Sequence, residues 1–314
     1  MQTNECLLMN IKYFFLAICI FTSGCKYSSS SSTLKKLNIE VDGKKREYIL
    51  YIPKGLPSNS PLVIALHGYT DNANAFMNYT GLNQVADKNG FAVCYPQGLV
   101  DSSRNTFWQV GYSFHRNEKV DDVKFLTILT KHLQSEYGFN PNETFATGMS
   151  NGGDMCIMLA CKKPDLFKAV APVVGCMMKT VFDSCNSSIP IPVFMINGTN
   201  DKITWWDGDI YDSQGYGIYY SVKTTFDFFV RKINCTKVLI DTLPNIGLND
   251  NSYVISTKYT SGLNGNQVWL YSVINGGHDW IGKGGNLDVN ASEMIWNFFK
   301  LKKSVNGYPS PTMN

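Results

Sequence analysis

A chain of 314 residues, 44% hydrophobic and 17% charged, suits one large mixed domain or at most two small ones. Its net charge of +3 comes with no basic block, which removes the electrostatic case for a nucleic-acid partner. Aromatic residues make up 13%, enough to furnish a core and still line a pocket.

Residues 13–22 form an apolar run too short to span a bilayer, preceded by Lys12 and closed by Ser23-Gly24-Cys25. The pattern resembles a bacterial lipoprotein signal, in which the cysteine after the small residues is lipidated and becomes the new N-terminus. Residues 1–25 are therefore read as a signal peptide ending at a lipidated Cys25, and residues 26–36 as a flexible tether. The expected location is a bacterial cell surface or outer membrane, with plain secretion or a periplasmic location as the alternative. Beyond Cys25 stand Cys94, Cys156, Cys161, Cys176, Cys185 and Cys235, and an exported chain permits disulfides among them. Cys156 and Cys161 lie on one predicted helix, at least ~7.5 Å apart by helical rise, beyond disulfide reach. Cys94 reads as a small core residue. A disulfide is expected among Cys161, Cys176, Cys185 and Cys235, with Cys161–Cys185 favoured because both flank the strands around residues 148–152.

The folded domain is expected over 37–303, with 304–314 as a tail. Residues 37–41 and 46–52, joined by Asp42-Gly43, predict an antiparallel hairpin. Residues 62–66 are an unbroken apolar run, as in a strand buried on both faces, and His67-Gly68-Tyr69 follows directly. A helix is expected over 72–89, ended by Gly90, then a strand over 91–95. Residues 99–119 are polar and irregular, with Trp108 in their middle, and suit the border of a pocket. An amphipathic helix over 120–137 opens with Asp121 and Asp122, read as complements to the helix dipole.

A strand over 144–147 leads into Gly148-Met149-Ser150-Asn151-Gly152, and a helix over 154–162 with Met155, Met158 and Leu159 on one face follows. Strands are expected over 169–174 and 193–197, the second ending in the turn Gly198-Thr199-Asn200-Asp201. Residues 203–220 carry Trp205, Trp206, Tyr211, Tyr216, Tyr219 and Tyr220. A helix over 221–232, a strand pair over 253–259 and 268–273, the stretch Asn275-Gly276-Gly277-His278-Asp279-Trp280 and a helix over 291–301 complete the domain. Strands alternating with helices predict an α/β fold, one doubly wound, mostly parallel sheet with helices on both faces. No linker announces a second or large cap domain.

A serine between glycines at a strand-to-helix switch is a nucleophile elbow, where the turn lifts the hydroxyl above the sheet edge. A catalytic Ser150 needs a base, an acid and donors for the oxyanion. His278, on a glycine-flanked loop after the last strand, is the candidate base. His115 reads as part of a polar loop, His132 as solvent-exposed, and His67 as shaping a loop. Asp201 is the candidate acid, with Asp207 and Asp209 as rivals on a loop expected to be more mobile. Asp279 is a poorer rival because adjacent side chains diverge. The oxyanion donors are the backbone N–H groups of Asn151 and Tyr69.

Leu66-His67-Gly68, Trp108, Val120-Asp121-Asp122-Val123, Gly148-Met149-Ser150-Asn151-Gly152-Gly153, Asn197-Gly198-Thr199-Asn200-Asp201 and Gly276-Gly277-His278-Asp279-Trp280 occur in one order. In that order they resemble the polyhydroxybutyrate depolymerase and feruloyl esterase family, carbohydrate-esterase-like members of the α/β-hydrolases, over roughly residues 37–301. The resemblance implies a serine carboxylic ester hydrolase with Ser150 as nucleophile, Asp201 as acid, His278 as base, and Tyr69 and Asn151 at the oxyanion. It also implies a substrate pocket with Trp108 and Trp280, to which the aromatic segment adds Trp206. The expected substrates are feruloyl or acetyl esters of polysaccharide, or hydroxyalkanoate polyesters. The chain departs from the family pattern at Ile281, where proline is usual, and at Asp154. No His/Cys/Asp cluster has metal-ligand spacing, so no metal or cofactor is expected. The rival readings are a peptidase or acyltransferase of the same fold, and a non-catalytic glycan-binding surface lipoprotein.

Overall fold

A computed structural model describes residues 31–247 and 249–301. The signal-like segment with Cys25, and residues 304–314, lie outside the described residues.

Among the described residues a ten-stranded sheet organises the domain. In chain order its strands are β1 (Thr33–Val41), β2 (Lys44–Ile52), β3 (Leu62–Leu66), β4 (Ala92–Pro96) and β5 (Thr144–Met149). They continue with β6 (Val170–Val173), β7 (Val193–Gly198), β8 (Lys237–Thr242), β9 (Tyr253–Thr260) and β10 (Val268–Ile274). Their spatial order is β1-β2-β4-β3-β5-β6-β7-β10-β9-β8. The run from β4 to β10 is parallel throughout, and the outer strands on both sides are antiparallel. Every residue of β3, β4, β6 and β7 is buried, which is why these strands read as continuous apolar runs.

Seven helices cover the sheet: α1 (Ala73–Thr80), α2 (Leu82–Asn89), α3 (Asp122–Tyr137), α4 (Asn151–Lys162), α5 (Lys179–Ser184), α6 (Val222–Ile233) and α7 (Ala291–Lys300), counted among the described residues. Alternate residues of β3 join different cores, because successive strand side chains point to opposite faces. Leu62, Ile64 and Leu66 pack with Leu126 of α3, Leu159 of α4 and Phe229 of α6. Val63 and Ala65 pack with Phe76 of α1, Val85 of α2 and Trp296 of α7. The sheet is thus doubly wound, with a core on each face.

Four local differences from the sequence expectations have physical causes. The hairpin is longer than expected: β1 begins at Thr33, so residues 33–36 belong to the sheet and not to the tether. The expected helix over 72–89 is two helices, because Gly81 adopts φ +69° and caps α1 in the left-handed conformation. Asp121 does cap α3, accepting from the Lys124 N–H at 2.8 Å. Asp122 is instead buried and paired with Arg46 at 2.6 Å, so its partner is a guanidinium rather than a helix dipole. Finally, β8 is exposed along its whole length, so no burial pattern marked it in the sequence. Cys161 at the end of α4 is bonded to Cys185 just after α5, the pairing favoured from the sequence.

Candidate active site

The elbow forms where β5 meets α4. Ser150 sits between them at φ +55°, ψ −123°, a conformation that L-residues avoid and that costs roughly 1–3 kcal/mol. Its N–H is held by the Val173 carbonyl at 2.9 Å. The turn is possible only because α4 packs directly on the end of β3: a Cβ at Gly152 would lie 2.2 Å from the Leu66 carbonyl oxygen. The helix begins at Asn151, earlier than the sequence pattern suggested. Its first backbone bond runs from the Asp154 N–H to the Ser150 carbonyl at 2.9 Å. The N–H groups of Asn151, Gly152 and Gly153 therefore precede the helical ladder and lie at the positive end of α4.

His278 and Asp201 are brought together by the ends of β10 and β7. Gly198 lets the histidine loop lie on the β7 end, since a Cβ there would be 2.4 Å from the Gly276 and Gly277 carbonyl oxygens. His278 Nδ1 lies 2.7 Å from Asp201 Oδ2. Asp201 Oδ1 accepts from the backbone N–H groups of Ile203 (2.8 Å) and Thr204 (2.9 Å), which fixes the carboxylate. A carboxylate only accepts, so the contact places the imidazole proton on Nδ1 and leaves the Nε2 lone pair available to take a proton. The Asp201 side chain is 1% exposed and that of His278 19%, so the acid is sealed while the base keeps one open side.

Ser150 and His278 line one cavity of about 380 Å³, together with Tyr69, Thr70, Tyr112, Cys176, Ile203, Thr204, Tyr216 and Tyr219. Tyr69 stands three residues past the end of β3, and its hydroxyl donates to Asp101 at 2.7 Å. Asn151 is fully buried. Its side chain accepts from the Trp108 N–H at 2.7 Å and donates to the Trp108 carbonyl at 3.0 Å, locking the elbow to the loop after β4.

The three tryptophans expected in the pocket do not line it. Trp108 is buried, with its indole N–H donating to the His67 carbonyl at 2.9 Å, so it braces the loop beneath the site. Trp280 is buried too. It packs edge-on against Phe76 at 5.5 Å and donates to Ser292 Oγ at 3.1 Å, tying the histidine loop to α1 and α7. Trp206 is half-buried against the core on the α6 side, and its carbonyl accepts the Val222 N–H at the start of that helix. Large indoles gain more from the core than from a wet cavity, and tyrosines take the aromatic positions around Ser150.

The rival residues have other work. His67 is buried and accepts the Gly98 N–H on Nε2 at 2.9 Å, so its Nδ1–H donates to the Gly68 carbonyl at 2.7 Å. Burial holds its pKa below the usual histidine value, a neutral loop brace. His115, read as part of a polar loop, is buried, with its Nε2 3.0 Å from Asp101 Oδ2. His132 is exposed. Asp209 is buried and accepts the N–H groups of Ser213 (2.9 Å) and Gln214 (2.8 Å). Asp207 is exposed.

Sequence reasoning missed Tyr112 and Cys176 in the cavity wall and the carboxylate behind them. Asp154 accepts from the Tyr112 hydroxyl at 2.5 Å and the Cys176 N–H at 2.6 Å, and burial pushes its pKa up to about 6. The signal was present: an acidic residue four positions after Ser150, in the first turn of an otherwise apolar helix. Among the described residues no group of three or more His, Cys, Asp or Glu is placed to hold a metal ion.

Comparison with known proteins agrees with this architecture. Over 85% of its length the chain superposes on 98% of an acetyl xylan esterase from Aspergillus awamori, with a TM-score of 0.62 at 15% identity, a likeness of fold. It is 27% identical over 161 residues to the bifunctional acetylxylan esterase/xylanase XynS20E of Neocallimastix patriciarum, covering 51% of this chain and 22% of that protein. It is 25% identical over 197 residues to feruloyl esterase B of Piromyces equi, covering 61% of this chain and 36% of that protein. The chain thus spans well under half the length of these two curated relatives. The family model described as Esterase PHB depolymerase matches residues 46–238, a stretch that holds Ser150 and Asp201 and stops short of His278. With more than half of the chain matched and the fold shared, this α/β-hydrolase belongs to the esterase PHB depolymerase family.

Proposed function

We propose that this protein is a serine esterase that hydrolyses carboxylic esters through an acyl-enzyme. The observation that carries the reading is the strained Ser150 opening onto the same cavity as a histidine backed by a buried aspartate. Ser150 Oγ attacks the ester carbonyl while His278 Nε2 takes its proton. Asp201 holds the Nδ1–H tautomer and stabilises the imidazolium. The oxyanion is met by the backbone N–H groups of Asn151 and Tyr69, the first at a helix N-terminus where negative charge is favoured. The C–O bond then breaks, the alcohol leaves with the proton from His278, and water repeats the cycle to release the acid.

The cavity wall supports a narrower reading of the substrate. Tyr69, Tyr112, Tyr216 and Tyr219 give it four phenol rings, which suit a hydroxylated aromatic acyl group better than an acetyl group that leaves most of about 380 Å³ unfilled. The substrate we favour is a feruloyl-type ester of polysaccharide, with acetyl and hydroxyalkanoate esters as weaker ones. Labelling with a fluorophosphonate, followed by rates on methyl ferulate, acetylated xylan, p-nitrophenyl esters and a peptide anilide, tests both levels. The expected results are stoichiometric labelling and a higher kcat/KM on methyl ferulate than on acetylated xylan. Tyr216→Ala should lower the methyl ferulate value about tenfold while changing p-nitrophenyl acetate less than threefold, the loss of one ring contact. Failure to label would overturn the serine mechanism. Labelling with peptide anilide as the best substrate would overturn the esterase.

The proposed location is the outside of a bacterial envelope, held by a lipid at Cys25. The support is Ser23-Gly24-Cys25 after a short apolar run, together with the Cys161–Cys185 disulfide, which needs an oxidising compartment. Cys25→Ser should shift the protein from the membrane pellet to the soluble fraction. A wild-type protein already soluble, with an N-terminus other than Cys25, would remove the anchor.

A further inference from the structure

Among the described residues β8 is the last strand of the sheet, and it presents an unusual edge. Val238, Leu239 and Ile240 are 45%, 64% and 68% exposed, three apolar residues in a row on an outermost strand. Natural edges are normally blunted by charge, proline or a bulge, because an open edge templates pairing with another chain. Here the charges sit at the two ends, as Lys237 and Asp241, and the centre is apolar.

The backbone of β8 defines which pairings are open to it. In an antiparallel ladder, successive residues direct their N–H and C=O groups alternately to the two neighbouring strands. Leu243 donates to Val254 at 2.9 Å just beyond the register pair Thr242 and Ile255, so the odd-numbered residues of β8 face β9. Val238, Ile240 and Thr242 direct theirs outward, and among the described residues no strand meets them. We propose that this edge pairs antiparallel with β8 of a second copy of the chain, about a two-fold axis at Leu239. In that register Val238 and Ile240 of each copy form hydrogen-bonded pairs. Leu239 meets Leu239 in the intervening non-bonded pair. Lys237 of each copy then stands opposite Asp241 of the other.

The charge pattern selects a second copy over other strands. A two-fold axis reverses the strand, so a segment with a cation at one end and an anion at the other is its own complement. An axis through Ile240, also permitted by the backbone, sets Asp241 against Leu239 and leaves Lys237 without a carboxylate. The Leu239 axis is the register that pairs both charges and covers all three apolar side chains. It lies on the strand farthest in sheet order from the hairpin β1–β2, and none of its residues lines the cavity with Ser150 and His278, so pairing leaves the cavity open.

The test is sedimentation of the purified full chain at micromolar concentration, with the wild type expected as a dimer. Lys237→Asp, which sets like charges opposite each other twice, should raise the dimer dissociation constant about tenfold or more. Adding Asp241→Lys to it restores opposite charges and should return the constant to near the wild-type value. Leu239→Cys should cross-link to a covalent dimer under mild oxidation, because the Cα atoms of a non-hydrogen-bonded pair lie about 4.5 Å apart, within disulfide reach. The wild type, treated alike, should not cross-link. Thermal unfolding and p-nitrophenyl acetate hydrolysis should stay unchanged in all variants, which separates lost pairing from lost folding. A wild type that stays monomeric, its edge bare or covered by another part of its own chain, would overturn the proposal. So would a dimer that is indifferent to both charge variants and does not cross-link through Leu239→Cys.

Discussion

Ser150→Ala is expected to lower kcat on p-nitrophenyl acetate by on the order of 10⁶, about 8 kcal/mol of transition-state stabilisation, and to abolish fluorophosphonate labelling. The fold should survive, because the substitution keeps the Cβ and removes only the hydroxyl. The backbone at this residue gives a second, independent readout. Ser150 is held at φ +55°, ψ −123° by the close seating of Gly152 on β3, and alanine at the same position inherits that strain. Ser150→Gly relieves it and should be more stable than Ser150→Ala by about 1 kcal/mol, seen as a higher Tm. Both variants should be equally inactive. An Ser150→Ala enzyme that keeps a tenth of wild-type activity would show that another group is the nucleophile.

Such strain is one reason the elbow is legible in the sequence alone. Glycines at 148 and 152 around a serine, between a buried strand and an apolar helix, leave few structures to choose from. Asp201 and His278 were legible for a related reason. Each lies three or four residues past the end of a largely buried strand, and the ends of parallel strands share one edge of the sheet. The walls of the cavity were not legible, because no periodicity governs loops. Trp108 and Trp280 sit next to the right segments in sequence, yet their indoles turn into the core, where each finds an acceptor for its N–H. Tyr112 and Cys176 are tied together at the cavity by Asp154, buried in α4, which accepts a hydrogen bond from each. A side-chain tether of that kind joins residues 42 and 22 positions apart and leaves no mark on either local pattern. The edge strand β8 is illegible for the opposite reason: among the described residues nothing covers it, so its apolar residues follow no alternation.

The acid gives the sharpest expected split between neighbouring residues. Asp201 accepts two backbone N–H groups through Oδ1 and faces His278 Nδ1 through Oδ2 at 2.7 Å. In Asp201→Asn the side-chain oxygen can keep the bonds from Ile203 and Thr204, so the turn should hold its shape. The amide nitrogen then faces His278, and a donor there forces the imidazole proton onto Nε2. That proton sits where the Ser150 proton must go, and the base is blocked. The expected loss in kcat is about 10⁴-fold, or about 5 kcal/mol, with a much smaller change in KM because the cavity wall is untouched. Asp207→Asn should change kcat less than about tenfold, as an exposed carboxylate away from the cavity has little hold on the transition state. Asp209→Asn acts differently again: it loosens a buried carboxylate that ties the Ser213 and Gln214 N–H groups, and should lower Tm more than kcat. Steady-state rates and thermal melts on the three variants separate these outcomes. A large kcat loss in Asp207→Asn or Asp209→Asn, with Asp201→Asn active, would move the acid to another residue and break the proposed triad there.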